Sequence, residues 1–103
     1  MEKIEKLKAF LQSSPEDSFL NHALALEYIK GGNEASAREI FLNILHRDPS
    51  YIGSYYHLAH LLERMGAPEE AKAWYEKGMV AAKKAGDLHA YAELQAAYEE
   101  LTD

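Results

Sequence analysis

The 103-residue chain contains no cysteine, which excludes a disulfide framework, a thiolate metal site and a nucleophilic thiol. Only three prolines interrupt a composition rich in Ala, Leu, Glu and Lys, so helix is favoured throughout. No apolar run approaches the roughly 18 residues that a membrane span needs. The charged first residues, 1–6, are not followed by the apolar segment of a signal peptide. We therefore expect a soluble cytoplasmic protein of one domain with no membrane partner.

Basic residues are also scarce. The formal net charge is −6, and the longest basic run is Lys83-Lys84. Nucleic-acid binding depends on clustered Lys and Arg side chains that meet phosphates. Because this chain has no such cluster, we expect no nucleic-acid partner and interpret the acidic charge as a solvated surface.

What is present is a repeat with a period of 34 residues. Five positions recur at this offset: Leu24-Ala25 as Leu58-Ala59, Gly32 as Gly66, Ala37 as Ala71, and Phe41 as Tyr75. A fixed period of this length indicates stacked copies of one supersecondary unit. Within each copy, apolar residues recur at three- and four-residue spacing, which predicts two helices joined by a glycine-centred turn.

The repeated unit resembles the tetratricopeptide repeat, whose signature runs W-x-x-L-G-x-x-Y, A-x-x-x-F and P. The matching residues are Leu24, Ala25, Tyr28, Ala37, Phe41 and Pro49 in the first copy and Leu58, Ala59, Leu62, Ala71 and Tyr75 in the second. Asn21 and Tyr55 stand at the Trp positions, and Lys83 stands where the second copy would have its closing Pro. The resemblance implies an all-α fold, a right-handed superhelix of antiparallel helix pairs with about six helices. It implies little about the partner, because the motif residues are packing residues.

The predicted single domain, 1–103, has four parts. They are an N-terminal capping helix at 2–13, repeat one at 16–49, repeat two at 50–85 and a C-terminal capping helix at 87–102. The first helix of repeat one is expected to open at Ser14 or Pro15, with Glu16 and Asp17 in its first turn. The initial Met and the terminal capping helix favour a complete small protein.

The first helix of each repeat has a second face that the core does not use. At about 100° per residue, Leu24 and Tyr28 share one side of the first copy, while His22, Leu26 and Ile29 gather on the far side. In proteins that resemble this family, this second face lines a concave groove for an extended peptide or a partner helix. The candidate partner-binding residues are His22, Leu26, Ile29, Tyr56, His60, Glu63 and Arg64. Alternatively, Leu26 and Ile29 pack under the N-terminal helix or in a contact between copies of the chain.

Some members of the family hold the terminal carboxylate of a partner with Lys, Asn and Arg side chains. The corresponding face here carries His and Tyr at His22, Tyr56 and His60, so we expect no terminal-carboxylate ligand.

Metal binding and catalysis have little support. His57 and His60 lie three residues apart with Glu63 one turn further on, but zinc needs at least three protein ligands, and His22 or His89 would have to come from another helix. No glycine-rich phosphate loop and no serine beside a base is present. We therefore expect no metal, no cofactor and no enzymatic activity.

The sequence favours a non-enzymatic protein–protein interaction module that binds a peptide segment or helix of a partner. The alternative is a self-associating structural or accessory subunit, a homo-oligomer that buries Leu26 and Ile29 or the face of Tyr91 and Tyr98. A third possibility is an adaptor with a histidine metal site.

Overall fold

The computed structural model describes residues 2–103, and within them it contains six α-helices and no strand. The helices are α1 Glu2–Ser13, α2 Ser18–Lys30, α3 Glu34–Arg47, α4 Gly53–Arg64, α5 Pro68–Ala85 and α6 Leu88–Thr102. The prediction of an all-α fold with six helices is therefore confirmed. The helices form two compact units, which divide between Asp48 and Pro49.

In the first unit, α2 packs against both α1 and α3. The Ser18 hydroxyl at the start of α2 donates a hydrogen bond of 2.8 Å to Asp48, which follows the last residue of α3. The start of one helix therefore lies beside the end of the next, as in an antiparallel hairpin. In the second unit, α5 packs against both α4 and α6.

The turn between the two helices of each repeat has the same geometry. Gly32 and Gly66, 34 residues apart, have φ angles of 81° and 79°, a left-handed conformation that strains residues with a Cβ. The residue after each glycine donates a backbone hydrogen bond to a carbonyl in the last turn of the preceding helix. The Asn33 N–H donates to the Tyr28 carbonyl at 2.8 Å, and the Ala67 N–H donates to the Leu62 carbonyl at 2.9 Å. These hydrogen bonds satisfy carbonyls that the helix leaves unpaired. The repeat in the sequence is thus a repeat of backbone geometry.

The expected start of α2 at Ser14 or Pro15 is wrong. The helix begins at Ser18 because the Asp17 side chain accepts a hydrogen bond of 2.8 Å from the Leu20 N–H and caps it. Glu16 and Asp17 therefore precede the helix instead of lying in its first turn. Asn21, at the position of the family's Trp, uses its side-chain amide to donate to the carbonyls of Pro15 (3.1 Å) and Asp17 (2.9 Å).

The repeated motif residues form the core of each unit. Apart from the two turn glycines, the residue pairs related by the 34-residue period are all buried, with at most 6% of each residue exposed: Leu24 and Leu58, Ala25 and Ala59, Ala37 and Ala71, Phe41 and Tyr75. In the first unit Ile44 and Leu45 extend the core, and in the second unit Leu61, Leu62, Ala82 and Leu94 do so.

Two large apolar residues of the first and last helices are exposed. Phe10 on α1 is 63% exposed and Leu88 at the start of α6 is 74% exposed. Each lies about 120° around its helix from the residue that the helix buries, Ile4 on α1 and Leu94 on α6. The contact of each helix with its neighbour therefore covers Ile4 and Leu94 and leaves Phe10 and Leu88 exposed.

The second unit differs from the first in the length of its second helix. Without a proline at position 83, α5 continues to Ala85 and spans 18 residues, compared with 14 for α3. It ends at Gly86, whose φ is 73°. Asp87 then caps α6 by accepting a hydrogen bond of 3.0 Å from the Ala90 N–H.

Candidate functional site

The candidate residues of the second unit form an aromatic cluster on α4. The Tyr56 and His60 rings lie one helical turn apart and stack with centroids 5.9 Å apart and an interplanar angle of 9°. The Tyr56 ring also meets Tyr75 edge-on at 6.3 Å and His57 edge-on at 5.8 Å. Tyr56 is 37% exposed and His60 is exposed as well. The helix thus presents to solvent an aromatic surface that packs against the buried Tyr75 and the half-buried His57.

Glu63 anchors one end of this cluster. The buried Tyr75 hydroxyl donates a hydrogen bond to the Glu63 carboxylate. Burial of the phenol, and then this hydrogen bond, raise the pKa of Tyr75 well above its ordinary value. Tyr75 therefore stays protonated and continues to donate to Glu63 across the physiological pH range. Arg64, the next residue, is exposed in the last turn of α4.

His57 lies half-buried behind the exposed aromatic pair. Burial lowers the pKa of His57 from its ordinary value of 6.5, and the nearby His60 lowers it further. The imidazole is therefore neutral at pH 7, which removes the cost of burying a charge beside the core. Across residues 2–103, no group of three or more His, Cys, Asp or Glu side chains is arranged to hold a metal ion.

The candidate residues of the first unit lie on α2 and are partly packed. His22, Leu26 and Ile29 are all half-buried. The His22 ring meets the buried Phe41 of α3 edge-on, with centroids 5.4 Å apart and an interplanar angle of 64°. His22 therefore contributes to the packing of α2 on α3 as well as to the surface of α2. At the end of the same helix, Lys30 forms an ion pair of 3.4 Å with Glu27.

The face of α6 that the sequence offered for self-association is engaged within the second unit. The Tyr98 hydroxyl donates a hydrogen bond of 2.9 Å to Glu76 of α5. The ammonium of Lys83 lies 6.0 Å from the centre of the Tyr91 ring. Both tyrosines therefore have intramolecular contacts that connect α6 to α5.

Sequence reasoning overlooked the single tryptophan. Trp74 on α5 is half-buried, with its ring 6.1 Å from that of Tyr55 and the Lys77 ammonium 4.4 Å above its own centre. This geometry is a cation–π contact. The i, i+3 spacing of Trp74 and Lys77 on a predicted helix was the available signal, because residues at that spacing share a helix face.

No helix within residues 2–103 combines the length and the apolar character that crossing a membrane would require.

Comparisons with known proteins identify the same repeat and the same helical fold. The family model described as tetratricopeptide repeat matches residues 52–79. A tetratricopeptide repeat domain protein from Salinibacter ruber, solved by NMR, is 36% identical with a TM-score of 0.82, over 85% of this chain and 89% of that chain. Protein BPP2914 from Bordetella parapertussis is 26% identical with a TM-score of 0.82, over 96% of this chain and 86% of that chain.

A more distant structure has the same fold. PcrH, solved in complex with the chaperone binding region of PopD, is 15% identical with a TM-score of 0.87, over 96% of this chain and 75% of that chain. At this identity the likeness shows a shared fold. Among curated proteins, none matches this chain.

Proposed function

Because this chain belongs to the tetratricopeptide repeat family, we propose that it is a non-enzymatic protein-interaction module. It binds a peptide segment or helix of a partner through the first helices of its two repeats, α2 and α4. The residues that make the contact are His22, Leu26 and Ile29 on α2 and Tyr56, His60, Glu63 and Arg64 on α4.

The relatives support the class of function. PcrH has this fold and was solved with a segment of another protein, the chaperone binding region of PopD. Another protein of similar fold, the first tetratricopeptide repeat domain of Spaghetti, was solved with an HSP90 peptide. Tetratricopeptide repeats generally serve as interaction modules without catalysis, and the packing role of the repeated residues here agrees with that.

The stack of Tyr56 on His60 is the observation that carries the proposal. A tyrosine side chain offers a large apolar surface and a hydroxyl, and it has few rotatable bonds to immobilise on binding. Here the ring is also held by its edge-on contact with the buried Tyr75. A partner side chain that covers Tyr56 therefore gains apolar contact at a small cost in side-chain entropy. Apolar and aromatic side chains of the partner are the chemistry this surface suits.

Two charged residues of α4 contribute to partner binding at the edge of the aromatic surface. Glu63 accepts a hydrogen bond from Tyr75 and is half-buried, so its carboxylate has a fixed position. Exposed Arg64 lies next to it in the chain. Such edge charges set orientation and association rate more than affinity.

A quantitative pull-down from native lysate tests the proposal. Wild type is compared with Tyr56→Ala, with Leu26→Glu/Tyr56→Ala, and with Leu88→Ala, which truncates an exposed apolar side chain of α6. We expect that at least one captured protein binds wild type and Leu88→Ala but neither of the two Tyr56 variants. The helical content and melting temperature of Tyr56→Ala should equal those of wild type. If every captured protein survives Tyr56→Ala, the proposed binding face is wrong.

Light scattering after size-exclusion chromatography separates this function from self-association. A monomer across the micromolar range supports a module that binds a different protein. An oligomer that Tyr56→Ala dissociates would instead assign the same face to contacts between copies of the chain.

A further inference from the structure

The second unit carries a surface cleft on α5 that the proposed function does not use. The cleft has a volume of about 620 Å³. It is lined by Pro49, Ser50, Tyr55, Lys77, Val80, Ala81, Lys84 and Ala85, and we call it the α5 cleft. None of these residues belongs to the proposed binding faces of α2 and α4.

The length of α5 creates the cleft. Because no proline ends the helix at position 83, α5 has 18 residues beside the 12 of α4, and its last turns reach the segment at Pro49 and Ser50. That segment is held in place, since the buried Tyr55 hydroxyl donates a hydrogen bond of 2.6 Å to the Pro49 carbonyl. One side of the cleft is thus formed by α5, and the other side is formed by the segment at Pro49 and Ser50.

The face of α5 that lines the cleft has apolar side chains between two lysines. Lys77, Val80, Ala81 and Lys84 follow the i, i+3, i+4, i+7 pattern that places residues on one helix face. Val80 is 69% exposed, which leaves a large apolar side chain uncovered between the two lysines. The lysines are seven residues apart, which corresponds to about 10.5 Å along the helix.

Both lysines are available to an anionic ligand. The Lys77 ammonium lies over the Trp74 ring at 4.4 Å, a contact that orients the side chain. Within the part of the chain that the structure describes, no carboxylate forms an ion pair with Lys77. Lys84 is exposed, and no carboxylate within residues 2–103 forms an ion pair with it. On a chain with a net charge of −6, two unneutralised lysines beside apolar side chains form a local site of opposite sign.

We propose that the α5 cleft binds an extended acidic peptide segment of a partner protein, in which two carboxylates flank apolar side chains. In a polyproline II conformation, residues three apart lie on the same side of the chain about 9 Å from each other. That separation matches the spacing of Lys77 and Lys84 within the reach of their flexible side chains. Two lysines are too few for a nucleic acid or an anionic membrane, whose binding needs many cationic contacts.

The probe for this proposal is a capped octapeptide, Gly-Ser-Glu-Leu-Val-Glu-Ser-Gly, with an acetylated amino end and an amidated carboxyl end. It is titrated into the full ¹⁵N-labelled chain and followed by amide chemical shifts. We expect saturable shifts concentrated in residues 49–55 and 77–85, and weaker binding at high salt because the lysines are exposed. Absence of saturable shifts in these residues, or shifts centred on Tyr56 and His60, would overturn the proposal.

Lys84→Glu and Lys83→Glu form a matched pair of variants. Both change the net charge by the same amount at neighbouring, exposed positions of α5, but only Lys84 lines the cleft, while Lys83 lies toward Tyr91. We expect Lys84→Glu to weaken binding about five- to tenfold, because a surface ion pair becomes a repulsion of similar size. Lys83→Glu should change it by less than about twofold. Equal effects of the two variants would indicate general attraction to charge and would overturn the site.

Two further comparisons identify the source of affinity. A peptide with Gln in place of both Glu residues should bind at least about fivefold more weakly if the lysines recognise carboxylates. Tyr56→Ala should leave binding of the probe unchanged, so failure of the α5 cleft and failure of the proposed function are separate results. A probe that binds equally well with Gln would contradict the assigned chemistry.

Discussion

Gly78 of α5 lies directly against Tyr55 of α4. A Cβ placed on Gly78 would lie 2.7 Å from the Tyr55 Cβ and 3.1 Å from both terminal methyl carbons of Leu94 on α6. The Tyr55 Cβ is attached to the backbone, so it cannot move away without a shift of α4. Glycine therefore lets three helices of the second unit approach at one point, and the entropic cost of a glycine within a helix is offset by that packing.

The first prediction concerns this contact. Gly78→Ala should lower the free energy of unfolding by about 1–3 kcal/mol, because overpacking exceeds the gain of about 1 kcal/mol in helix propensity. Chemical denaturation monitored by circular dichroism measures the change. Gly53→Ala, at the exposed first residue of α4, is the control and should be neutral or slightly stabilising. A Gly78→Ala variant as stable as wild type would mean that α4 and α5 separate without cost.

A second prediction concerns the small residue of the repeated motif on α4. Ala59 is fully buried, so Ala59→Leu should lower the free energy of unfolding by about 1–3 kcal/mol. Ala92→Leu introduces the same side chain at an exposed position of α6 and should have little effect. The comparison uses the midpoint of urea unfolding for both variants. Equal midpoints would show that the close approach at Ala59 tolerates a large side chain.

The helix caps of the two repeats provide a third prediction. Asn33 caps α3 by accepting a hydrogen bond of 3.3 Å from the Ser36 N–H, whereas its counterpart 34 residues later, Ala67, has no side-chain cap for α5. Asn33→Ala should destabilise the protein by about 1 kcal/mol, and Ala67→Asn should stabilise it by a similar amount.

Thermal unfolding of both variants and of the double exchange checks this cap prediction. The two changes should offset each other in the double exchange, because each alters the cap of a different helix, α3 or α5. A destabilised Ala67→Asn variant would contradict the prediction.

The fourth prediction is a dependence of stability on pH. The pKa of His57 is lowered in the folded protein, so the unfolded chain binds a proton more readily. The contribution of His57 to stability is therefore complete above its ordinary pKa of 6.5 and is lost as the pH falls below that value. His57→Gln should flatten the decline of the unfolding free energy between pH 7.5 and 5.

The control for this titration is His46→Gln, which removes an exposed imidazole at the end of α3. Denaturation curves at four or five pH values give the slopes for wild type and both variants. An undiminished slope in His57→Gln would assign the acid sensitivity to other groups.

Much of the fold could be predicted from the sequence because its determinants are local or periodic. Gly32 and Gly66 end helices through their own backbone conformation, and the repeated apolar residues mark the buried faces. Asp87 caps α6, a role that the short acidic side chain of Asp favours at the start of a helix. The start of α2 was misplaced because Asp17 can act either as a first-turn acid or as a cap, and only the hydrogen bond to Leu20 distinguishes the two.

The candidate binding face stays a prediction. The sequence assigned Tyr56 and His60 to one side of α4, and their assignment to a partner stays a prediction. The sequence could not indicate that the two rings stack, nor that Glu63 is held by Tyr75 from α5, since these contacts depend on how one helix is rotated against the next.

The sequence by itself determined the family, the helical class and the residues that form the core, since a 34-residue period and a 3.6-residue helical repeat are properties of the chain. Tertiary structure decided which side chains remain outside: Phe10 and Leu88 are exposed, Gly78 is enclosed, and Lys77 lies over Trp74. The physical reason is that packing sets the distance and rotation of each helix. A shift of a few ångströms there decides whether an apolar side chain is covered or presented to a partner.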